Sequence, residues 1–337
     1  MKKNKNILLI CGGGGTEHEI SLLSAEFLYE NLLKLKFNIH FVEICKDGIR
    51  RTKQGVPCEL RKNGELFSAN KSTKIDFIIP CIHGPPGETG QIQAVFELMN
   101  VPYLGAGPEA SILSFNKVST KLWMDALKIP NTPYFFVSKN QKLADIETLV
   151  EKALNEWGEV FIKASSQGSS VGCYKLTDKS KIRETLTDGL KYSPYLLIEK
   201  AIKGRELEIA VFSYDEQLIA TDPGEINCPD GFYTYQEKYN PQSKTTTHVQ
   251  AKDIPLADAQ AMKTQALHLF QALNISHLAR VDFFYLGPGE FYINEINTFP
   301  GMTKISMFPK MLAAAGYKFD EFLEKIISHS MSIQEDF

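Results

Sequence analysis

The chain has 337 residues, 43% hydrophobic and 23% charged, with a net charge of −3 and a pI near 6.2. That length and balance suit a soluble protein of two or three domains, and they leave no basic footprint for nucleic acid and no polybasic patch for an anionic membrane. No apolar run reaches the roughly 18 residues of a membrane span, and six scattered cysteines without a C-x-x-C pair suggest buried thiols in a reducing cytosol, with neither a zinc site nor disulfides.

The basic start at Lys2, Lys3 and Lys5 precedes an apolar run too short for a signal peptide and reads as a first strand. Over residues 1 to about 120, strands at 7–11, 39–44 and 76–82 and an amphipathic stretch at 22–35 predict a parallel sheet with crossover helices. Gly12-Gly13-Gly14-Gly15 joins the first strand to its helix, either as a tight turn or as a place where amides approach a ligand. Glu17 follows in Thr16-Glu17-His18-Glu19-Ile20-Ser21, where an acid also suits the helix dipole. His83-Gly84-Pro85-Pro86-Gly87-Glu88 sits in a strand-end loop, and Asn116-Lys117 comes after Gly105-Ala106-Gly107.

Pro130 and Pro133 punctuate the entry to a second section. Strands at 134–137 and 160–164 flank a helical pattern at 143–157, and the second of them carries Lys163. The small-residue loop 165–172, with Ser169 and Ser170, reads as a flexible turn or a phosphate cover; it lacks the Gly-Lys-Ser/Thr ending of a P-loop. An apolar strand at 195–201 carries Glu199, Lys200 and Ala201, and Gly204-Arg205-Glu206 opens the next strand, at 207–212. Residues 228–248 are polar and irregular yet hold four aromatics, with Lys238-Tyr239 among them, which favours a functional loop over disorder. A helix at 256–273, closing helices at 312–327 and a fraying tail at 328–337 complete the prediction.

Residues 280–301 carry the strongest signal. Two apolar-rich runs flank Gly287-Pro288-Gly289, a hairpin signature. Alternation puts Arg280 and Asp282 on one face of the first strand and Glu295 and Asn297 on one face of the second, with Val281, Phe283, Tyr285, Ile296 and Phe299 opposite. Two acids and an amide on one surface offer oxygen ligands for Mg²⁺; a solvated salt bridge is the simpler alternative.

Taken in order, the glycine tract with Glu17, the His83–Glu88 loop, Lys117, the serine-rich loop, Glu199-Lys200, Lys238-Tyr239 and the Asp282…Glu295-x-Asn297…Pro300-Gly301-Met302-Thr303 run resemble the D-alanine–D-alanine ligase family of ATP-grasp enzymes over nearly the whole chain. The sequence departs from that family's pattern at Thr89, Ala94, Asn116 and Ala164.

The resemblance implies an α/β and α+β ATP-grasp fold with an N-terminal, Rossmann-like parallel-sheet domain. It implies a substrate domain at 1–122, a central subdomain at 123–213 and a C-terminal subdomain at 214–330 with a mobile loop at 228–248. It implies ATP as co-substrate, two Mg²⁺ or Mn²⁺ ions on Asp282, Glu295 and Asn297, and ATP contacts from Lys117, Lys163, Ser170, Glu199, Lys200, Ala201, Glu206 and Lys238. Glu17, Ser169, Arg280, Tyr239 and Gly301 take catalytic roles by the same likeness, and His83, Glu88, Ser306, Glu17 and Gly301 meet D-alanine. A tyrosine at position 239 goes with an amine nucleophile over a hydroxyl. The implied product is D-alanyl-D-alanine for peptidoglycan precursors, made by a cytoplasmic homodimer with no nucleic-acid or membrane partner. D-Ala-D-Ser or D-Ala-D-lactate ligation, a carboxylate kinase and a non-catalytic nucleotide-binding protein are the alternatives.

Overall fold

The structure, a computed structural model, describes residues 4–228 and 244–335. In chain order, β1 (Asn6–Gly12), α1 (His18–Leu32), β2 (Asn38–Ile44) and β3 (Arg50–Thr52) are followed by β4 (Cys58–Leu60), β5 (Glu65–Ser68), β6 (Lys71–Lys74) and β7 (Phe77–Cys81). β1 is buried along almost its whole length, as a strand covered on both faces must be, and it pairs in parallel with β2 and β7. β3 closes one edge antiparallel, giving the order β3-β2-β1-β7, while β4, β5 and β6 form a separate small antiparallel sheet. Gly12, Gly13 and Gly14 all lie at positive φ, and a Cβ on Gly12 would meet the Ile44 carbonyl oxygen at 2.4 Å. Their amides bond Ser21 Oγ, Ile44 O and His18 Nδ1, so the tract is a turn whose amides are engaged within the protein.

Next come α2 (Gln91–Leu98), α3 (Pro108–Phe115) and α4 (Lys117–Ala126). Asn116 caps α4 by accepting from Ser119 N at 3.1 Å, a role its shape shares with aspartate. The second sheet is assembled from β8 (Tyr134–Ser138), α5 (Leu143–Trp157), β9 (Val160–Ala164), β10 (Cys173–Leu176), α6 (Ile182–Tyr192) and β11 (Tyr195–Lys200). It is antiparallel throughout, in the order β10-β9-β11-β8. α5 buries Ile146, Val150, Ala153 and Leu154 as a stripe and stops at Gly158, with φ +78°.

The third sheet holds β12 (Arg205–Tyr214), β13 (Gln217–Ala220), β14 (Gly224–Asn227), β15 (Thr246–His248), then, after α7 (Leu256–Ala272), β16 (Leu278–Gly287) and β17 (Glu290–Asn297). Its order is β15-β14-β12-β16-β17, with β13 on β12. Residues 205–213 therefore pair with the C-terminal strands, not with the central sheet. α8 (Met307–Ala314) and α9 (Phe319–Glu335) end the described chain, and α9 is helical over residues 328–335, within the stretch expected to fray. α9 packs on α1, with the Phe27 and Phe319 rings 5.0 Å apart, and one core unites Ile7, Leu9 and Leu28 with Phe212, Phe308 and Phe322. Only Cys11 and Cys81 are fully buried; the other four cysteines are partly exposed, and all six are free thiols. No helix among the described residues is long and apolar enough to cross a membrane.

Candidate active site

A cavity of about 460 Å³ opens where the three main sheets meet. Glu17, His83, Glu88, Lys117, Lys163, Ser169, Ser170, Glu199, Lys200, Glu206, Arg280, Asp282, Glu295, Asn297, Gly301 and Ser306 all line it. Ala201 does not: its N–H donates to Glu159 O at 3.0 Å, and Ile202 reaches the wall instead. Lys238 and Tyr239 lie outside the described residues.

The hairpin forms in the expected register, with Arg280 opposite Asn297 and Asp282 opposite Glu295. Val281, Phe283 and Tyr285 are buried on the other face. Arg280 forks onto both oxygens of Asp282 at 2.7 Å and reaches Glu208 Oε1 at 3.1 Å, while Asn297 Nδ2 donates to Asp282 Oδ2 at 3.1 Å. Burial disfavours the Arg280 cation, but Asp282 and Glu208 outweigh that and hold it charged, its pKa well above the usual arginine value. A register shift beside Asp282 bulges β17, so Asn294 faces the cavity next to Glu295 and accepts from Lys163 at 3.4 Å. Lys117 approaches Glu295 at 3.8 Å.

The serine-rich loop crosses onto the N-terminal section. Ser169 donates to the Glu17 carboxylate, and Ser169 and Ser170 adopt φ of +50° and +61°. The start of α4 holds the loop from beneath: Lys117 N donates to Ser165 O at 2.8 Å, Lys117 Nζ to Gln167 O at 2.7 Å, and Asn116 Nδ2 to Ser166 Oγ at 3.2 Å.

At the N-terminal end of the cavity, burial pushes the Glu88 carboxyl up to about 8, helped by the charge of Glu17, although the Gly84 amide donates to it at 2.7 Å. Burial lowers the pKa of His83, whose Nε2 lies 2.9 Å from the Ser24 hydroxyl. Ser306 stands at the N-cap position of α8 without a side-chain capping bond; its hydroxyl accepts from Thr303 N at 3.1 Å and lies 2.8 Å from Thr303 Oγ1.

Residues 6–106 match the family described as D-ala D-ala ligase N-terminus, and residues 123–328 match D-ala D-ala ligase C-terminus. The chain belongs to the D-alanine–D-alanine ligase family. A D-alanine–D-alanine ligase of Vibrio campbellii is 50% identical over 327 residues, covering 96% of this chain and 98% of the relative. The crystal structure of a D-alanyl-alanine synthetase A from Vibrio cholerae superposes with a TM-score of 0.92 at 43% identity, covering 98% of this chain and 100% of that one. A D-Ala:D-Ser ligase from Enterococcus faecalis superposes at 0.85 with 27% identity, covering 97% and 100%. The fold is that of these ATP-grasp ligases, with the parallel sheet at the N-terminus.

In this ligase-family chain the site also holds residues the sequence reading did not single out. Asn294 was hidden by the bulge; the spacing of Ile293 and Ile296, three instead of two, is the one trace it leaves. Lys121 and Thr132 form a buried cluster with Glu199 and Lys163: Lys121 Nζ stands 2.8 Å from Glu199 Oε1, and Lys163 Nζ stands 2.5 Å from Oε2. Burial penalises the Glu199 carboxylate, but the two ammoniums prevail and hold its pKa far below the usual range. A lysine in the middle of a helix carries no mark of such burial.

Proposed function

We propose that this chain is an ATP-dependent, ADP-forming ligase that joins two D-alanines into D-alanyl-D-alanine for peptidoglycan precursors. The reading rests above all on one cavity that gathers phosphate-binding lysines, the Asp282–Glu295–Asn297 oxygens and the Glu17–Ser169 contact in a chain of this family. A carboxylate is a poor acyl donor because its leaving group would be oxide. Transfer of the γ-phosphoryl group of ATP to the first D-alanine makes phosphate the leaving group. The neutral amine of the second D-alanine then attacks the acyl carbon, loses its proton, and phosphate departs.

The chain's own groups suit these steps. Lys117 and Lys163, with Lys238, receive the ATP phosphates beneath the Ser169–Ser170 loop, where amides and hydroxyls add donors. Glu199 and Lys200 face the adenine side, with Ile202 on the wall in place of Ala201, and the acceptor-only carboxylate of Glu206 suits ribose hydroxyls. Glu17 meets the amino group of the first D-alanine, with His83 and Glu88 beside it. Arg280 and the Gly301 amide stabilise the tetrahedral oxyanion. Ser306, at the N-terminus of α8, faces the carboxylate of the second substrate, where the helix dipole favours an anion. Tyr239 favours the amine nucleophile.

Among the described residues the cavity wall carries six carboxylates besides the mostly protonated Glu88, against five cationic side chains, so tetra-anionic ATP needs added positive charge there. Asp282, Glu295 and Asn297 offer hard oxygen donors that fit Mg²⁺ or Mn²⁺. When bound, two such ions neutralise charge on the transferring phosphoryl group.

We group residues 205–213 with the C-terminal subdomain and otherwise retain the 1–122, 123–213 and 214–330 division. A cytoplasmic homodimer is the proposed form; Val95, Leu98 and Ile112 on α2 and α3 are exposed apolar side chains, Leu98 at 87%.

The test is incubation with ATP, Mg²⁺ and a panel of D-alanine, D-serine and D-lactate, with products identified by mass spectrometry. D-alanyl-D-alanine should appear in step with ADP and phosphate. Phosphate release without dipeptide, or a mixed product in preference, would refute the reading. Glu295→Gln should cut turnover by at least about a hundredfold, from several kcal/mol of lost metal and transition-state binding; near-normal turnover at saturating Mg²⁺ would remove Glu295 from the metal site.

A further inference from the structure

Lys121 is 1% exposed, on α4, one helical turn after Lys117. Its Nζ donates to Thr132 Oγ1 at 2.5 Å and pairs with Glu199 Oε1 at 2.8 Å, and Thr132 Oγ1 donates to that same oxygen at 2.7 Å. The other oxygen, Oε2, belongs to Lys163 at 2.5 Å. One carboxylate thus serves two ammoniums, each on its own oxygen.

The two lysines are not equivalent. The Lys163 side chain is 14% exposed and lines the cavity, whereas that of Lys121 is 2% exposed and stands behind the wall. Lys121 therefore cannot reach a ligand, and Lys163 can. A cluster with two buried cations and one anion is short of negative charge, and a second anion arriving on the cavity side would complete it. For Lys163 to turn toward that anion, Glu199 must remain ionised without it. A buried carboxylate stripped of its only counter-ion is strongly disfavoured, so a lone Lys163 would be held back.

We propose that Lys121 is a positioning residue of the nucleotide site: it is the standing counter-ion of Glu199, and by neutralising that carboxylate it frees Lys163 for the phosphates of ATP. This rests on the assignment of Lys163 to the phosphates, so Lys163→Met is measured beside the Lys121 variants. Steady-state kinetics and titration calorimetry with a non-hydrolysable ATP analogue give the readout.

Lys121→Met should raise KM for ATP and Kd for the analogue about tenfold or more, while KM for D-alanine moves less than about twofold. Lys121→Arg should recover part of the loss. A purely structural lysine would lower thermal stability and leave analogue affinity unchanged, which overturns the proposal. If Lys163→Met leaves analogue affinity intact, the phosphate assignment itself fails; if it weakens binding while folded Lys121→Met does not, only the counter-ion role fails. Should Lys121→Met not fold, Thr132→Val removes a partner of the same carboxylate oxygen and must still weaken the analogue; an unchanged Kd there rejects the proposal.

Discussion

Ser24 is fully buried, and its hydroxyl does two jobs: it lies 2.9 Å from His83 Nε2 and accepts the Met302 N–H at 3.3 Å. The same imidazole bonds the Phe299 backbone. The segment from Phe299 to Met302, with Gly301 inside it, is thus fastened at both ends to the N-terminal section by a serine–histidine pair. Ser24→Ala should lower kcat by roughly five- to a hundredfold, the equivalent of about 1–3 kcal/mol for a lost buried hydrogen bond, with KM for ATP unchanged. A kcat within twofold of the parent would mean that Gly301 holds its place without this anchor. His83 was legible in the sequence because it stands in a glycine-rich loop after a strand. Ser24 was not, because a serine inside an amphipathic helix looks like any small helix residue. Lys121 escaped for the related reason that sequence spacing does not reveal which lysine of a helix meets a buried acid in another element.

Elements with strong periodicity were legible to within a residue or two: β9 at Val160–Ala164, α5 at Leu143–Trp157 and the β16–β17 hairpin around its glycines. The strands of the small sheet, three or four residues long and largely polar, were not, since so few residues cannot establish a period of two. β12 was legible as a strand, but its pairing with β14 and β16 was not, because pairing partners far along the chain leave no local mark. The serine-rich loop was read by composition, and its hydrogen bonds to Glu17 and to the start of α4 show why small residues belong there: Gly168 leaves only 3.2 Å between a would-be Cβ and Glu17 Oε2. Binding of a non-hydrolysable ATP analogue should slow hydrogen exchange across residues 165–172. Exchange that stays unchanged there while other parts of the cavity become protected would show that the loop does not cover the phosphates.

The whole molecule is held together at joints that cross its sections. His277 accepts from the Gly105 amide at 3.0 Å through Nδ1 and lies 3.2 Å from Ser330 Oγ through Nε2, joining the N-terminal section, the third sheet and α9. Burial lowers its pKa to about 4, and its bond from the Gly105 N–H requires a ring nitrogen without a proton. Between pH 6.5 and about 4 the unfolded chain therefore binds a proton that the folded chain refuses, so stability present above pH 6.5 is lost as pH falls through that window. His277→Asn, which tolerates the φ of +67° and keeps an acceptor for Gly105, should flatten that part of the curve in urea titrations; a slope equal to the parent's would assign the acid sensitivity elsewhere. The shared core of α1 and α9 has a consequence for how the protein is made. Some 300 residues separate the starts of the two helices, so a ribosome working at about 5–20 residues per second needs roughly 15–60 s to deliver the second after the first. Throughout that interval the apolar face of α1 that α9 will cover has no permanent neighbour, so the nascent N-terminal section carries uncovered apolar surface until α9 is made.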